Sequence, residues 1–370
     1  MTRYPGYAGI ESVTSHILPY LKSDGTKISI LSHLEENNPQ CFTEGIVIYK
    51  MPDAVDAYTH KNYTYAEKII SEGHYDAIIY QDSYGYTERI VCPLAKKYKI
   101  PLYVFEHNSP LFIYNKRDLD SIFTIKGFLR RVLHFYLVYR EKKRKRYLLE
   151  HCRKYVLLSK SYIPEFCNFV GTSLDNPQIT YINNPCKNTL PDNKVQKENI
   201  ILCVCRLDRV KQVHKMLTLW ATINQRLGDW KFQIVGDGVE MDNLKAMVSE
   251  RHIPRVEFVG YATPTEYYQR AKIFWMMSKF EGWPMTLFES MQYGCVPIAW
   301  LSFSSLRDII DDGINGFVVR NEDSLTFGNK TIDLALDATL FQKMSQSARK
   351  KTELFTVDKI IGDRKKLLGI

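Results

Sequence analysis

Two glutamates, Glu281 and Glu289, lie eight positions apart on either side of a segment that contains Gly282 and Pro284. Proline suits the first position of a helix, because its missing N–H is one that the helix leaves unpaired anyway. The sequence therefore predicts a loop with Glu281, followed by a helix with Glu289. The first amides of such a helix attract an anion such as a diphosphate, and here they belong to Met285, Thr286 and Leu287.

Carboxylates beside an anion site are expected only where they hold hydroxyl groups. A nucleotide-sugar supplies both parts, since it has a diphosphate as well as ribose and sugar hydroxyls. The alternative for the two glutamates is an ordinary amphipathic helix with a Glu at each end.

Two cations, Arg206 and Lys211, follow the apolar run 200–205. The carboxyl end of a parallel strand faces the ligand-binding edge of its sheet, where cations neutralise the charge of a phosphate leaving group. Taken as a bare pair, the two side chains would be solvated surface charges. Their position after a predicted strand and before a predicted helix favours phosphate binding.

Apolar runs alternate with helical patterns along the whole chain, which is typical of a parallel α/β sheet. Polar residues with a proline interrupt this alternation between residues 188 and 198, and it restarts at residue 200. At 370 residues the chain is long enough for two domains, each with a core of its own. Strands are predicted at 27–32, 45–49, 76–80, 101–105, 155–158, 179–182, 200–205, 231–235, 256–259, 273–277, 296–299 and 317–319. Helices are predicted at 10–22, 54–71, 88–98, 121–151, 213–226, 240–250, 264–270, 285–293, 303–311 and over much of 335–353.

The element between the two glutamates continues into Gly294-Cys295-Val296-Pro297 and resembles that of the retaining glycosyltransferases with the GT-B fold, the family 4 type. The resemblance covers most of the chain and is strongest over residues 200–319. It implies two Rossmann-like doubly wound domains that face an interdomain cleft. We expect a first domain at 1–187, a linker at 188–198, a second, nucleotide-sugar-binding domain at 199–355, and a C-terminal helix at 356–370 that crosses back to the first domain.

The resemblance also implies an activity: transfer of a sugar from a UDP- or GDP-sugar to a glycan or lipid-linked acceptor in bacterial surface polysaccharide synthesis. The family retains the anomeric configuration, without a metal or other cofactor. Carried over residue by residue, Arg206 and Lys211 would bind the diphosphate, Glu281 the sugar and Glu289 the ribose, and His107 would contact the donor sugar near the reacting carbon. Backbone contacts to the donor are expected at Gly9, Gly236 and Tyr261.

The sequence departs from the family pattern in its first glycine turn, where Ala8-Gly9 stands in place of Gly-Gly, and at two further places. Gln212 stands where the family has a glycine after the lysine. The glycine turn at 6–11 comes almost at once, whereas family members have a short apolar strand before it. We therefore expect that the chain lacks much of this strand, or that the stated start lies downstream of the true one.

The net charge of +9 is concentrated in one segment. Residues 126–154 contain eleven Lys and Arg against two Glu, an excess as large as that of the entire chain. The segment is a core helix with a solvated basic end, a helix that lies on an anionic bilayer, or a nucleic-acid contact. No nucleic-acid recognition module accompanies it, and the family's lipid-linked acceptors favour the membrane surface.

Other features bear on the compartment. No apolar run reaches the roughly 18 residues that cross a bilayer, and the N-terminus has no apolar signal core. The eight cysteines are scattered without metal-binding spacing, so the simplest expectation is a reduced cytoplasm, with the protein peripheral on the inner face of the plasma membrane. A nucleotide-sugar epimerase of the same fold and a non-catalytic nucleotide-sugar-binding scaffold are the alternative functions.

Overall fold

The chain forms two compact units, one of Met1–Pro185 with Val357–Ile370 and one of Cys186–Thr356. The structure is a computed structural model, and it describes residues 1, 3–6, 9–22, 25–55, 58–82, 87–115, 125–186 and 195–370. Most of the predicted linker 188–198 and part of the glycine turn at 6–11 therefore lie outside the described residues.

The first unit contains two parallel sheets rather than one. A two-stranded sheet pairs β1 (Ser29–Ser32) with β2 (Val47–Lys50). A four-stranded sheet has the order β3 (Ile78–Asp82), β4 (Leu102–Glu106), β5 (Lys154–Leu157) and β6 (Ile179–Tyr181). All five residues of β4 are buried, as expected for an apolar strand covered on both faces.

The segment before the glycine turn pairs with the chain that follows β1. The backbone N–H of Tyr4 donates to the Leu34 carbonyl at 3.0 Å, and the N-terminal amine of Met1 donates to the Leu31 carbonyl at 2.7 Å. A single parallel bridge between Arg3 and Leu34 accompanies these bonds. A strand-like contact therefore exists where the sequence predicted a missing strand, although it is too short to form a regular one.

Seven helices pack against these sheets in the described part of the first unit. The last of them, α14, packs on α1 through Ile17, Leu21, Val357 and Ile361. The same helix covers Tyr103 and Phe105 of β4 through Ile360. The helices are α1 (Gly9–Lys22), α2 (His60–Gly73), α3 (Glu88–Tyr98), α4 (Phe112–Asn115), α5 (Ile125–His151), α6 (Tyr162–Val170) and α14 (Val357–Leu368).

The exposure pattern of the long helix α5 is the opposite of that of a core helix with a basic end, in which the apolar stretch would be buried and the cations exposed. Its apolar stretch is open to solvent, whereas part of its cationic end is buried. Arg144 donates to Glu141 through Nε at 3.0 Å and Nη2 at 2.7 Å, and Lys145 pairs with Glu106 in the core. The exposed large side chains, 46% to 70% accessible, are Val132, Leu133, Phe135, Tyr136 and Tyr139.

The second unit contains one six-stranded parallel sheet. Its order is β12-β11-β10-β7-β8-β9, so the chain adds strands to one side of β7 and then returns to build the other side. The strand order therefore reverses between β7 and β10, which is the position where open α/β sheets bind ligands. The strands are β7 (Glu198–Val204), β8 (Lys231–Val235), β9 (Val256–Gly260), β10 (Ala271–Met276), β11 (Val296–Leu301) and β12 (Phe317–Arg320).

The described residues of this unit form seven α-helices around the sheet. One core cluster joins the central strands to α7 and α12 and contains the buried rings of Trp220, Phe232, Trp275 and Phe327. The predicted helix 335–353 corresponds to α13 (Ala338–Thr352), which begins after Asp337, whose carboxylate accepts from the Leu340 amide. The helices are α7 (Val213–Ile223), α8 (Met241–Glu250), α9 (Thr265–Arg270), α10 (Met285–Gln292), α11 (Leu306–Ile309), α12 (Ser324–Leu336) and α13 (Ala338–Thr352).

Candidate active site

A pocket lies at the carboxyl ends of β7 and β10, the two strands at the reversal of strand order. Its wall includes backbone and side chains of both strand ends together with Lys211, Glu281 and Thr286. These three residues come from the loop after β7, the loop before α10 and the first turn of α10. The structure thus brings the predicted cation, the predicted sugar-binding acid and the helix N-terminus together in one place.

Lys211 and Glu281 form an ion pair inside this pocket. The Nζ of Lys211 lies 2.5 Å from Oε1 of Glu281, and the two side chains are 22% and 15% exposed. Burial by itself lowers the pKa of Lys211, but the Glu281 carboxylate outweighs it, so the pKa is raised above its ordinary value. The lysine therefore stays charged at neutral pH, ready to hold a phosphate.

Arg206 does not line the pocket and instead points to solvent. Its side chain is 77% exposed, and its Nη2 lies 2.6 Å from Oδ2 of Asp208 in the same loop. Exposed ion pairs contribute only about 0–1 kcal/mol, whereas a hydrogen bond to a charged group contributes about 1.5–3 kcal/mol. Exchange of Asp208 for a phosphate is therefore energetically accessible to this side chain.

Gly236 supports the loop that carries Arg206. Its φ of 134° is unusual for other residues, and a Cβ at this position would lie 1.9 Å from the Cys205 carbonyl oxygen. The backbone N–H of Leu207 donates to the Asp237 carbonyl at 2.8 Å across the same contact. Glycine at 236 thus lets the loop after β8 approach the loop after β7 closely.

Gln212 adopts the backbone conformation for which the family uses glycine. Its φ of 53° and ψ of 36° are left-handed, and the side chain is buried. In the amide orientation that satisfies both ends, its nitrogen donates to the Met277 carbonyl at 2.7 Å and its oxygen accepts from Lys215 at 3.2 Å. These bonds offset the strain of a non-glycine residue, so the turn persists without the glycine.

The helix α10 begins at Met285, with Pro284 as the N-cap residue rather than the first helical residue. Glu281 lies in the preceding loop and Glu289 within the helix, as the sequence indicated. The prediction of three free amides is wrong at Leu287, because its N–H donates to the Pro284 carbonyl at 3.1 Å. The first amides of a helix have no intrahelical acceptor, so those of Met285 and Thr286 remain for an anion.

Glu289 is held by a tyrosine that the sequence did not indicate. The hydroxyl of Tyr268 donates to Oε2 of Glu289 at 3.1 Å, and the Tyr268 ring stacks on Tyr293 at a centroid distance of 5.9 Å. Burial, followed by the charge of Glu289, raises the pKa of Tyr268 well above its ordinary value. Tyr268 is therefore a permanent donor that orients the carboxylate.

Tyr261 stands at the end of β9, where its side chain is 87% exposed. The carbonyl of the preceding Gly260 accepts from the Gly236 amide at 2.8 Å. The loop with Tyr261 is thereby tied to the loop that supports Arg206, while the ring itself extends into solvent.

His107 and Gly9 belong to the first unit. His107 follows β4 directly, and its Nε2 forms a short hydrogen bond with the side-chain oxygen of Gln81 on β3. Burial, followed by the charge of Arg364, lowers the pKa of His107 to about 3, so the imidazole is neutral at physiological pH. Gly9 starts α1. Among the described residues, a Cβ at this position would meet no atom within 4 Å, so no steric contact with them requires a glycine here.

The residues that sequence reasoning missed are mostly partners of those it identified. Asp208 pairs with Arg206, Tyr268 orients Glu289, and Gln81 bonds His107. Asp208 was the easiest of these to predict from the sequence, because an Asp two positions after an Arg in a loop is placed to pair with it. Tyr268 and Gln81 come from other strands and helices, and no local spacing links them to their partners.

Within the described ranges, no group of three or more His, Cys, Asp or Glu is placed to hold a metal ion. None of the helices described combines the length and the apolar character that crossing a membrane requires. The expected independence from metal stays a prediction.

Residues 189–351 match the family model described as glycosyl transferases group 1. An uncharacterized glycosyltransferase of Haemophilus influenzae is 30% identical over 200 residues, which cover 51% of this chain and 55% of that protein. The chain thus spans about half the length of this relative.

A longer match is to the Campylobacter jejuni GalNAc-alpha-(1->4)-GalNAc-alpha-(1->3)-diNAcBac-PP-undecaprenol alpha-1,4-N-acetyl-D-galactosaminyltransferase. It is 26% identical over 316 residues, covering 84% of this chain and 79% of the relative. The solved structure of Anabaena Alr3699/HepE in complex with UDP superposes with a TM-score of 0.71 and 14% identity, over 99% of this chain and 98% of that one. At this identity, the likeness shows a shared fold.

Proposed function

We propose that this chain, whose residues 189–351 belong to the glycosyl transferases group 1 family, transfers a sugar from a nucleoside diphosphate-sugar to a glycan or lipid-linked acceptor of a bacterial surface polysaccharide. The glycosyltransferase family and the GT-B fold predicted from the sequence are confirmed, while retention of the anomeric configuration stays a prediction. The observation that carries the proposal is the Lys211–Glu281 pair in the pocket at the reversal of strand order. In this pair, a lysine that can bind phosphate lies beside a glutamate that can accept hydrogen bonds from hydroxyl groups.

In this proposal the diphosphate of the donor lies against Lys211 and the amides of Met285 and Thr286. The ammonium and the helix N-terminus both favour negative charge. Arg206 leaves Asp208 and adds its guanidinium to the same phosphates, which Arg binds in a bidentate manner. These groups bind most strongly when the leaving diphosphate gains charge, so they stabilise the transition state more than the ground state.

Glu281 is released when Lys211 turns to the phosphate, and its carboxylate then accepts hydrogen bonds from sugar hydroxyls. Glu289, oriented by Tyr268, accepts from the ribose hydroxyls. The resemblance implies retention of configuration through attack on the same face, assisted by the leaving phosphate and without a metal. UDP-sugars are the first donors to test, because HepE was solved with UDP, and GDP-sugars are the second.

The test of this function is product analysis with each donor, in the presence and absence of an undecaprenyl diphosphate-linked glycan. We expect UDP release that requires the acceptor, and an α-linked product from an α-linked donor by NMR. A β-linked product would overturn the retaining mechanism. An isomerised donor formed without acceptor would replace the transferase with an epimerase, and a thermal shift with nucleotide-sugars without any turnover would leave the non-catalytic scaffold.

We further propose that α5 rests on an anionic membrane surface and places the protein on the inner face of the plasma membrane. The support is its exposed apolar stretch, with Phe135 70% and Tyr139 62% exposed, next to the exposed cations Lys143 and Arg146. Apolar burial in the headgroup region and attraction to acidic lipids act together in such helices.

Co-sedimentation with phosphatidylglycerol-containing vesicles tests this surface. Phe135→Ser with Tyr139→Ser is expected to reduce binding at all salt concentrations, whereas Lys143→Gln with Arg146→Gln reduces it mainly at low salt. Phosphatidylcholine vesicles are the control for charge. Binding that neither double variant changes would exclude α5 as the contact.

A further inference from the structure

A single arginine interrupts the apolar inner face of the C-terminal helix α14. The residues that α14 turns toward the first unit recur at helical spacing, and they include Val357, Ile360, Ile361, Leu367 and Leu368. Arg364 occupies the middle of this stripe and is only 3% exposed. A leucine would be the expected residue at such a position.

The Arg364 guanidinium has little to compensate its burial. It lies over the Phe105 ring at 4.8 Å from the centroid, a contact that stabilises a desolvated cation only in part. Among the residues that the structure describes, Nε and Nη2 are buried and have no hydrogen-bond partner. A buried charge without a counter-ion costs several kcal/mol, which a protein avoids unless the charge has another use.

The free edge of Arg364 belongs to the same end of the sheet as His107. Side chains alternate along an extended chain, so His107, one residue past the end of β4, is expected on the same face as Phe105, which Arg364 covers. Gln81 is the register partner of Phe105 on the neighbouring strand and holds His107 by a hydrogen bond. Arg364 is close enough to influence the protonation of His107.

We propose that Arg364 binds an oxyanion at the carboxyl end of β4, with His107 beside it. Nε and Nη2 form the edge of the guanidinium that donates two parallel hydrogen bonds to a phosphate or carboxylate. The neutral imidazole neither competes with Arg364 for the anion nor repels it, and one of its nitrogens is occupied by Gln81. The ligand is a phosphate group of one of the two substrates.

The identity of the molecule that carries the phosphate rests on the proposed function, whereas the oxyanion site itself does not. A lipid diphosphate-linked acceptor and a nucleoside diphosphate-sugar share the same chemistry. Binding of inorganic pyrophosphate needs neither of them and needs no turnover, so it can succeed or fail independently of the transferase activity.

The first experiment is calorimetric titration of the full chain with inorganic pyrophosphate. Because Lys211 is proposed to bind a diphosphate too, the titration compares Lys211→Ala with the double variant Lys211→Ala, Arg364→Leu. We expect the second substitution to weaken the remaining pyrophosphate binding at least tenfold. Arg364→Lys, which keeps the charge but loses the two-pronged edge, should give an intermediate loss.

The melting temperature of the ligand-free single variant Arg364→Leu separates binding from structure. Leucine completes the apolar stripe, so we expect a melting temperature equal to or above that of the wild type. A clear fall, together with unchanged pyrophosphate binding in the Arg364→Lys variant, would make Arg364 a structural residue and overturn the proposal. Unchanged pyrophosphate affinity in the double variant would also overturn it.

Steady-state kinetics of the Arg364→Leu variant then identify the source of the phosphate. A raised KM for the acceptor at constant donor KM assigns the site to the acceptor diphosphate. A raised KM for the donor at constant acceptor KM assigns it to the nucleotide. Unchanged values of both KM would contradict a substrate phosphate at this site.

Discussion

Each unit contains a Lys–Glu ion pair that is largely buried, but the two pairs differ in their exposure and surroundings. Lys145 and Glu106 in the first unit are 2% and 4% exposed, and Tyr155 donates a further hydrogen bond of 2.8 Å to the same Glu106 oxygen. Lys211 and Glu281 in the second unit are 22% and 15% exposed and line a pocket.

The difference separates a structural pair from the pair that is proposed to bind the donor. The enclosed pair holds α5 against the end of β4. Because it is fully buried, no ligand can replace either of its two partners. The pocket pair is partly exposed and lines a pocket, so in the proposed function it can exchange one partner for a ligand. Partner exchange, rather than the presence of an ion pair, is thus the property that distinguishes a binding site.

The largest effect is expected when the enclosed pair is broken. Lys145→Met leaves Glu106 as an uncompensated buried charge, which costs about 3–5 kcal/mol of stability. All five tryptophans, Trp220, Trp230, Trp275, Trp283 and Trp300, lie in the second unit. In urea denaturation of the Lys145→Met variant, circular dichroism should therefore show part of the helix lost at a lower urea concentration than in the wild type. Tryptophan fluorescence reports the unfolding of the second unit alone.

Adding Glu106→Gln to Lys145→Met should recover part of the loss, since the buried charge is then removed. A loss below about 1 kcal/mol for Lys145→Met would contradict the structural role of the pair.

Breaking the pocket pair should affect catalysis more than stability. Lys211→Ala removes the group that is proposed to stabilise the departing diphosphate, so kcat/KM for sugar transfer should fall by roughly 10²–10³. The unfolding free energy should change by about 1 kcal/mol or less, because pocket water can solvate the remaining Glu281. A stability loss as large as that of Lys145→Met would remove the distinction between the two pairs.

The smallest effect is expected at a pair that is neither enclosed nor in the pocket. Arg270 and Glu198 in the second unit are 41% and 47% exposed and lie 2.6 Å apart. Arg270→Ala should cost about 0–1 kcal/mol and leave transfer kinetics unchanged. It therefore serves as the matched control for Lys211→Ala, and a large fall in kcat/KM would show that surface charge alone affects the reaction.

The sequence predicted the elements best where local signals agree. The helix over 88–98 and the strand over 231–235 are found with the predicted bounds, since each has a regular apolar period between polar ends. The helix α12 was missed, although Asp323 caps it by accepting from the Thr326 amide at 3.0 Å. An Asp before a short Ser-Leu-Thr stretch is a weak pattern unless the strand before it is already placed.

The candidate site was predictable in its parts but not in its pairings. Lys211 and Glu281 are seventy positions apart, and only the packing of two loops over adjacent strands brings them together. The exposure of Phe135 and Tyr139 and the burial of Lys145 on α5 run against their polarity, so composition alone gave no sign of them. Arg364 could have been found, because it is a charge at an apolar position of a regular stripe.

The chain begins and finishes in one body, with the whole of residues 186–356 inserted between. A truncation that removes the last fourteen residues would therefore take α14 away from the first unit, whose other residues are 1–185. Anyone who wishes to produce that body alone must join residue 185 to residue 357 through an engineered connection, and an affinity tag at either terminus will sit on the same half.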